Sequence, residues 1–190
     1  MNCGRKGNKN IKGKMKYIIS VLSIILVVAN SSNVFAAETS AGVSAEQIIS
    51  IDAGKPTLET GKTLEEVLGI QNARATSMPN QTWDWSKGKY SGDFEISYEY
   101  SYTKYNFSGY SQYYVDTKAE RDKWTAASNN YTVYLMKGSG QGTIVTSYSF
   151  NSKDWKMVRF YNLDPGTKYA VCFSKANDGS TLSGMFYIYP

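Results

Sequence analysis

The chain is 190 residues long, with 21 Lys+Arg against 16 Asp+Glu, 16 tyrosines, two cysteines and no histidine. Without histidine, a Ser-His-Asp triad, a Cys-His dyad and the common zinc sites are excluded. No D-x-[DN]-x-[DN]-G loop offers calcium an oxygen cage, so neither a metal nor a cofactor is expected.

The N-terminus carries Arg5, Lys6, Lys9, Lys12, Lys14 and Lys16 without an acid, followed by the apolar run 17–29. That run, about 13 residues, is shorter than the roughly 20 a spanning helix needs, and so predicts an export signal with no membrane anchor after processing. Val34-Phe35-Ala36 meets the small-x-small rule, which places cleavage after Ala36, with Ala37 as the neighbouring alternative. Residues 1–36 then form the signal. Six of the 21 basic residues lie before position 17 and none of the 16 acids before Glu38, so the processed chain would carry 15 against 16. The basic balance belongs to the signal, which removes the case for nucleic acid as a partner. Cys3 would leave with it, so that Cys172 can form no intramolecular disulfide.

Residues 37–80 are acidic and contain neither tyrosine nor tryptophan, too little apolar mass for a core of their own. They read as a flexible linker or propeptide-like segment. Ser44-Ala45-Glu46-Gln47 and Thr63-Leu64-Glu65-Glu66 both fit the capping box, and in the second Leu64, Val67 and Leu68 line one face before Gly69. A short amphipathic helix on a loose tether is expected, serving as stalk, propeptide or docking helix.

From residue 81 the composition turns to tyrosine, threonine, serine and glycine. Strands are expected at 89–91, 93–103, 111–115, 130–137, 143–150, 156–161, 167–174 and 184–189, separated by Gly, Pro, Asn and Ser turns. Residues 116–126 interrupt the alternation and read as loop or short helix. Short strands at this spacing predict an all-β, antiparallel β-sandwich over 81–190, either Ig/fibronectin III-like or jelly-roll-like.

Trp83 and Trp85, two apart, would share a strand face, as would Phe94, Ile96, Tyr98, Tyr100 and Tyr102. Flat rings beside hydroxyls suit a sugar, whose CH faces stack on the ring; half-buried strands need the same pattern for packing. The tryptophan pair, at the entry to the domain, is the candidate ligand site, with one ring in the core and the other at the rim. No catalytic residue is assigned. Glu95 and Glu99 would lie roughly 13 Å apart by strand rise. Paired glycosidase carboxylates stand about 5 to 9.5 Å apart.

Near the C-terminus, Asp164 to Thr167 holds Pro165 and Gly166 as the centre of a type II turn, and Tyr169 opens the strand after it. Leu163-Asp164-Pro165-Gly166-Thr167-Lys168-Tyr169-Ala170-Val171 resembles the L-x-P-G-T-x-Y-x-V motif of fibronectin type III domains. The resemblance implies a tyrosine corner, with the Tyr169 hydroxyl bonded to backbone a few residues upstream. The whole of 83–190, from W-D-W-S-K-G-K-Y to S-G-M-F-Y-I-Y, is similar to small secreted proteins of Gram-positive bacteria. That similarity implies an extracellular, cell-wall-associated sandwich without a mechanism. The function expected is therefore a non-enzymatic module binding cell-wall or extracellular glycan, set against an extracellular enzyme using carboxylate or tyrosine acid/base chemistry, or a secreted antagonistic or structural protein.

Overall fold

Alternation with a period of two sets most of the strands in the computed structural model, which describes residues 48–70, 77–122 and 129–190. The export signal, its cleavage point at Ala36 or Ala37, and the capping box beginning at Ser44 lie outside the described residues. In order come β1 (Ile49–Asp52), α1 (Leu64–Leu68), β2 (Tyr90–Ile96), β3 (Tyr100–Tyr102), β4 (Gln112–Arg121), β5 (Asn130–Lys137), β6 (Thr143–Asn151), β7 (Lys156–Tyr161), β8 (Tyr169–Ser174) and β9 (Leu182–Tyr189).

The pairing follows one rule. β5 pairs with β6, β4 with β7, β3 with β8 and β2 with β9, all antiparallel. This is a single long hairpin rolled so that its arms fall alternately into two sheets, ordered β1-β7-β4-β9-β2 and β3-β8-β5-β6. Of the two sandwich topologies the sequence leaves open, this order is that of the jelly roll. β1 is an addition, laid parallel along the outer edge of β7.

Between the sheets lies the main core. Phe94 stacks on Phe173 with ring centroids 4.2 Å apart, and Phe186 packs against Phe173 at 5.1 Å. Such burial contributes about 1.5–3 kcal/mol for each large apolar side chain. Gly184 on β9 leaves room for this cluster: a Cβ there would stand 2.4 Å from Phe94 Cζ and 2.6 Å from the Lys118 carbonyl oxygen.

Two strand expectations are corrected. The stretch 93–103 is not one strand; β2 ends at Ile96, residues 97–99 bend, and β3 joins the other sheet. Phe94 and Ile96 are core while Tyr98 stands 59% exposed at the bend, so the five-residue stripe is divided between two surroundings. Residues 116–121 are neither loop nor helix but the second half of β4, paired to β7 through Thr117 and to β9 along its length. Their inward side chains are Thr117 and Ala119, both buried, which makes the alternation real but low in apolar contrast.

The segment before the sandwich is also not loose where it is described. Ile49 and Ile51 of β1 pack on the main core. Past β1, Gly61 N–H donates to the Ile144 carbonyl (2.8 Å) and Ile144 N–H to the Lys62 carbonyl (2.8 Å), covering part of the β6 edge. α1 follows, capped as the capping box requires: Glu66 N–H donates to Thr63 Oγ1 and Thr63 N–H to Glu66 Oε2. Gly69 closes it in the left-handed region at φ 67°. Leu64 sinks into a second cluster with Met78, Tyr134, Met136, Ile144, Ala170 and Cys172 on the outer face of the four-stranded sheet. The segment has no core of its own because it uses the sandwich's. With both faces covered, all six residues of β8 are buried.

Candidate functional site

The tryptophan pair does not lie on a strand. Asp84 accepts from Ser86 N–H (3.1 Å) and starts a single 3-10 turn, Trp85–Lys87. Both indoles donate to backbone, Trp83 Nε1 to the Gly88 carbonyl and Trp85 Nε1 to the Ser108 carbonyl, each at 3.0 Å. Trp85 lies nearly parallel to Tyr113 (5.6 Å, 17°), and Trp83 packs on Tyr90 (4.9 Å) and Tyr105 (5.3 Å). Both rings are half-buried against the main core, so the division into one core ring and one rim ring is not what is found. Together they close one end of the sandwich.

The Pro165–Gly166 turn is built differently from a type II turn. Thr167 N–H does close on the Asp164 carbonyl at 3.0 Å, but Gly166 does not have a positive φ. The Asp164 carboxylate organises the turn instead, accepting from Gly166 N–H (2.9 Å) and Thr167 Oγ1 (2.8 Å). These two bonds, Thr167 first, hold its pKa below the ordinary carboxylate value. The residue in the left-handed region is Asn162, at φ 60°, whose amide donates to Asp52 Oδ1. Tyr169 is buried and its hydroxyl accepts from Asp164 N–H at 3.0 Å, five residues upstream.

Other candidates resolve into packing. Cys172 is buried, and desolvation pushes its thiol well above the ordinary value, so it is chemically quiet. On the outer face of the five-stranded sheet, Tyr114 stacks on Tyr189 (5.3 Å, 12°) and Trp155 on Tyr187 (5.4 Å, 24°). Lys89 sits over Tyr187 at 4.1 Å and Arg159 over Tyr114 at 5.9 Å. These rings spend their faces on one another and on cations, which leaves little for a sugar. Among the described residues, no group of three Asp, Glu or Cys is placed to hold a metal ion.

One concavity is not announced by the sequence. An open cleft of about 680 Å³ lies on the outer face of the four-stranded sheet, beyond the part that α1 covers. Thr132 from β5 and Ser149 from β6, their hydroxyl oxygens 2.8 Å apart, lie in its floor over the buried Tyr134 and Ser174, with apolar surface of Leu68, Phe150 and Ala176 beside them. Leu68 at the end of α1 forms one wall, and a smaller adjoining cleft of about 450 Å³ shares Leu68 and Lys175. The opposite wall is charged. Asp178 Oδ2 accepts from Arg121 Nη1, Asp178 Oδ1 takes Ser180 N–H and Oγ (3.1 and 2.6 Å), and Lys175 Nζ stands 3.5 Å from it. Ser180, then Arg121 and Lys175, keep Asp178 ionised well below the usual carboxylate range.

Periodicity could not reveal this wall, because Arg121 belongs to one sheet and Lys175 follows a strand of the other. The Asn177-Asp178-Gly179-Ser180 turn was the one legible signal, since Asp followed two residues later by Ser bonds its own backbone. Fold and surface together define an all-β sandwich of jelly-roll order with an open groove on its smaller sheet. No family model matches the chain, and neither a curated protein nor a solved structure does.

Proposed function

We propose that this chain is a secreted, non-enzymatic β-sandwich module that binds polysaccharide at the cell envelope, and that the groove on the four-stranded sheet, rather than Trp83 and Trp85, is where it does so. The observation that carries this reading is the groove floor. Thr132 and Ser149 present hydroxyls beside the apolar surface of Leu68 and Ala176 in an open cleft, the combination of hydrogen-bonding groups and apolar faces that a sugar ring uses. The rival extracellular enzyme would need an acid and a base facing each other there. Asp178 is locked as an ionised partner of Arg121 and Lys175, so it is no proton donor in waiting.

The reading is tested by incubating the protein with purified cell wall and insoluble polysaccharide. Saturable, stoichiometric retention without released sugar, weakened at least fivefold by Ser149→Phe, supports it; Phe at this position would fill the cleft. Release of soluble product, or retention indifferent to Ser149→Phe, overturns it.

A further inference from the structure

We propose that the end of the sandwich closed by Trp83 and Trp85 docks on an anionic lipid surface, its rings at the headgroup level and its lysines on the phosphates. This end shares no residue with the groove, and the proposal does not rest on the glycan reading.

Two properties coincide there. The first is a group of aromatic rings that the fold leaves partly in water. Trp83, Trp85 and Tyr105 are half-buried, and Tyr110, 5.8 Å from Trp85, is 41% exposed. Rings with an apolar body and a polar edge settle at the boundary between headgroups and acyl chains. Because both indole N–H groups are bonded to backbone, Trp83 and Trp85 can enter that boundary without carrying an unpaired donor into it.

The second property is charge. Lys87, Lys89 and Lys104 are exposed around the rings, with Lys87 Nζ 5.9 Å from the Trp83 ring, Lys104 Nζ 5.6 Å from Tyr105 and Lys89 Nζ 4.1 Å from Tyr187. Lysine stems laid along apolar rings keep their ammonium groups in water, which is how they sit at a membrane interface. Lys168, beside the Tyr169 whose backbone pairs with Phe107, is exposed as well. The acids here are turned onto their own loops: Asp84 accepts from Ser86 N–H and Oγ, and Asp164 from Gly166 N–H and Thr167 Oγ1. The lysines outnumber these acids, so the end is locally positive. The processed chain as a whole carries 15 basic against 16 acidic residues, so any attraction to an anionic surface has to come from this cluster. A soluble anion would engage the lysines and leave the rings in water. An anionic bilayer engages both, and membrane attachment of this kind takes two signals.

The test is sedimentation with vesicles of phosphatidylcholine alone and of phosphatidylcholine mixed equally with phosphatidylglycerol. It uses residues 37–190, which hold every described strand and omit the basic, apolar leader that would bind vesicles by itself. The mixed vesicles are expected to retain the protein at least about tenfold better than the neutral ones, the difference shrinking as salt is raised to about 0.5 M. Lys87→Gln with Lys104→Gln is expected to lower retention about tenfold or more, and Tyr110→Ser to lower it at unchanged charge. Lys118→Gln with Lys153→Gln, the same charge change away from this end, is expected to alter it less than about twofold. All five side chains are exposed, and thermal unfolding like that of the unaltered protein confirms that each variant is folded. Equal retention on the two kinds of vesicle, retention on neither, or an equal loss in the two lysine pairs would overturn the proposal. Loss with the lysines but none with Tyr110→Ser would overturn the part given to the rings. Wall retention and its response to Ser149→Phe are independent of all these outcomes.

Discussion

Replacing Leu64 by alanine tests whether the N-terminal segment is a dependent cover on the sandwich. Leu64 is fully buried, the one residue of α1 to be so, and it meets Met136, Ile144, Ala170 and Cys172 on the outer face of the four-stranded sheet. A five-residue helix has no stability of its own, and its capping box contributes about 1 kcal/mol, so docking depends on this side chain. Leucine-to-alanine changes at such sites cost about 2–5 kcal/mol. A loss of about 3 kcal/mol, at 1.4 kcal/mol per factor of ten, makes the cover about 100-fold more often open. Cys172, beneath it, reports the opening. In a Cys3→Ser background Cys172 is the sole thiol. Its reaction with an aromatic disulfide reagent should accelerate by about two orders of magnitude in Leu64→Ala, with little dependence on low urea, as expected of local opening. A rate that rises only in step with global unfolding, with the full urea dependence of that transition, would refute the reasoning and make the segment an integral part of the fold.

Tyr169→Phe removes the acceptor of Asp164 N–H and should lower stability by about 0.5–1.5 kcal/mol in urea denaturation, with the fold unchanged. Trp85→Ala, which strips a ring packed on Phe107 and Tyr113, should cost about 3 kcal/mol, and Trp83→Ala less, because its indole bond to Gly88 is exposed. Equal thermal shifts for the two would contradict this order. Burial pushes Tyr113, Tyr131 and Tyr134 up to about 12. Since unfolded tyrosine titrates near 10, their contribution to stability is complete below about pH 10 and disappears as pH rises towards the folded values. Burial pushes Tyr102 up further still, so ultraviolet titration should find at least four phenols silent at pH 11 until the chain unfolds; full ionisation of a still-folded protein would contradict their burial.

The sandwich was legible because most of its strands carry high contrast between faces: Val133 and Leu135 against Thr132, or Phe186 and Ile188 against Met185 and Tyr187. Where contrast faded, reading failed. Thr117 and Ala119 are inward but small, so half of β4 looked like loop. Tyr98 continues the alternation of β2 by one more apolar residue, and only the tertiary switch between sheets reveals the bend. The N-terminal segment reads as loose because its apolar residues are too few for a core of their own, whereas Ile51 and Leu64 enter two clusters already made by others. The groove was least legible of all. Arg121 ends a strand of one sheet and Lys175, 54 positions on, follows a strand of the other, and no local pattern records that they meet over Asp178.

The rolled hairpin also dictates an order of events during synthesis. Only β5 and β6 are near neighbours in sequence; β4–β7, β3–β8 and β2–β9 each span a longer loop, and the entropy of closing those loops slows their formation. β9, which follows every other strand described, is not an edge. It sits between β4 and β2, so until it arrives β4 lacks one partner and β2 has none. Until β9 has been made, β1, β7 and β4 can pair but β2 cannot join them, so the larger sheet closes only after the smaller one has all its strands.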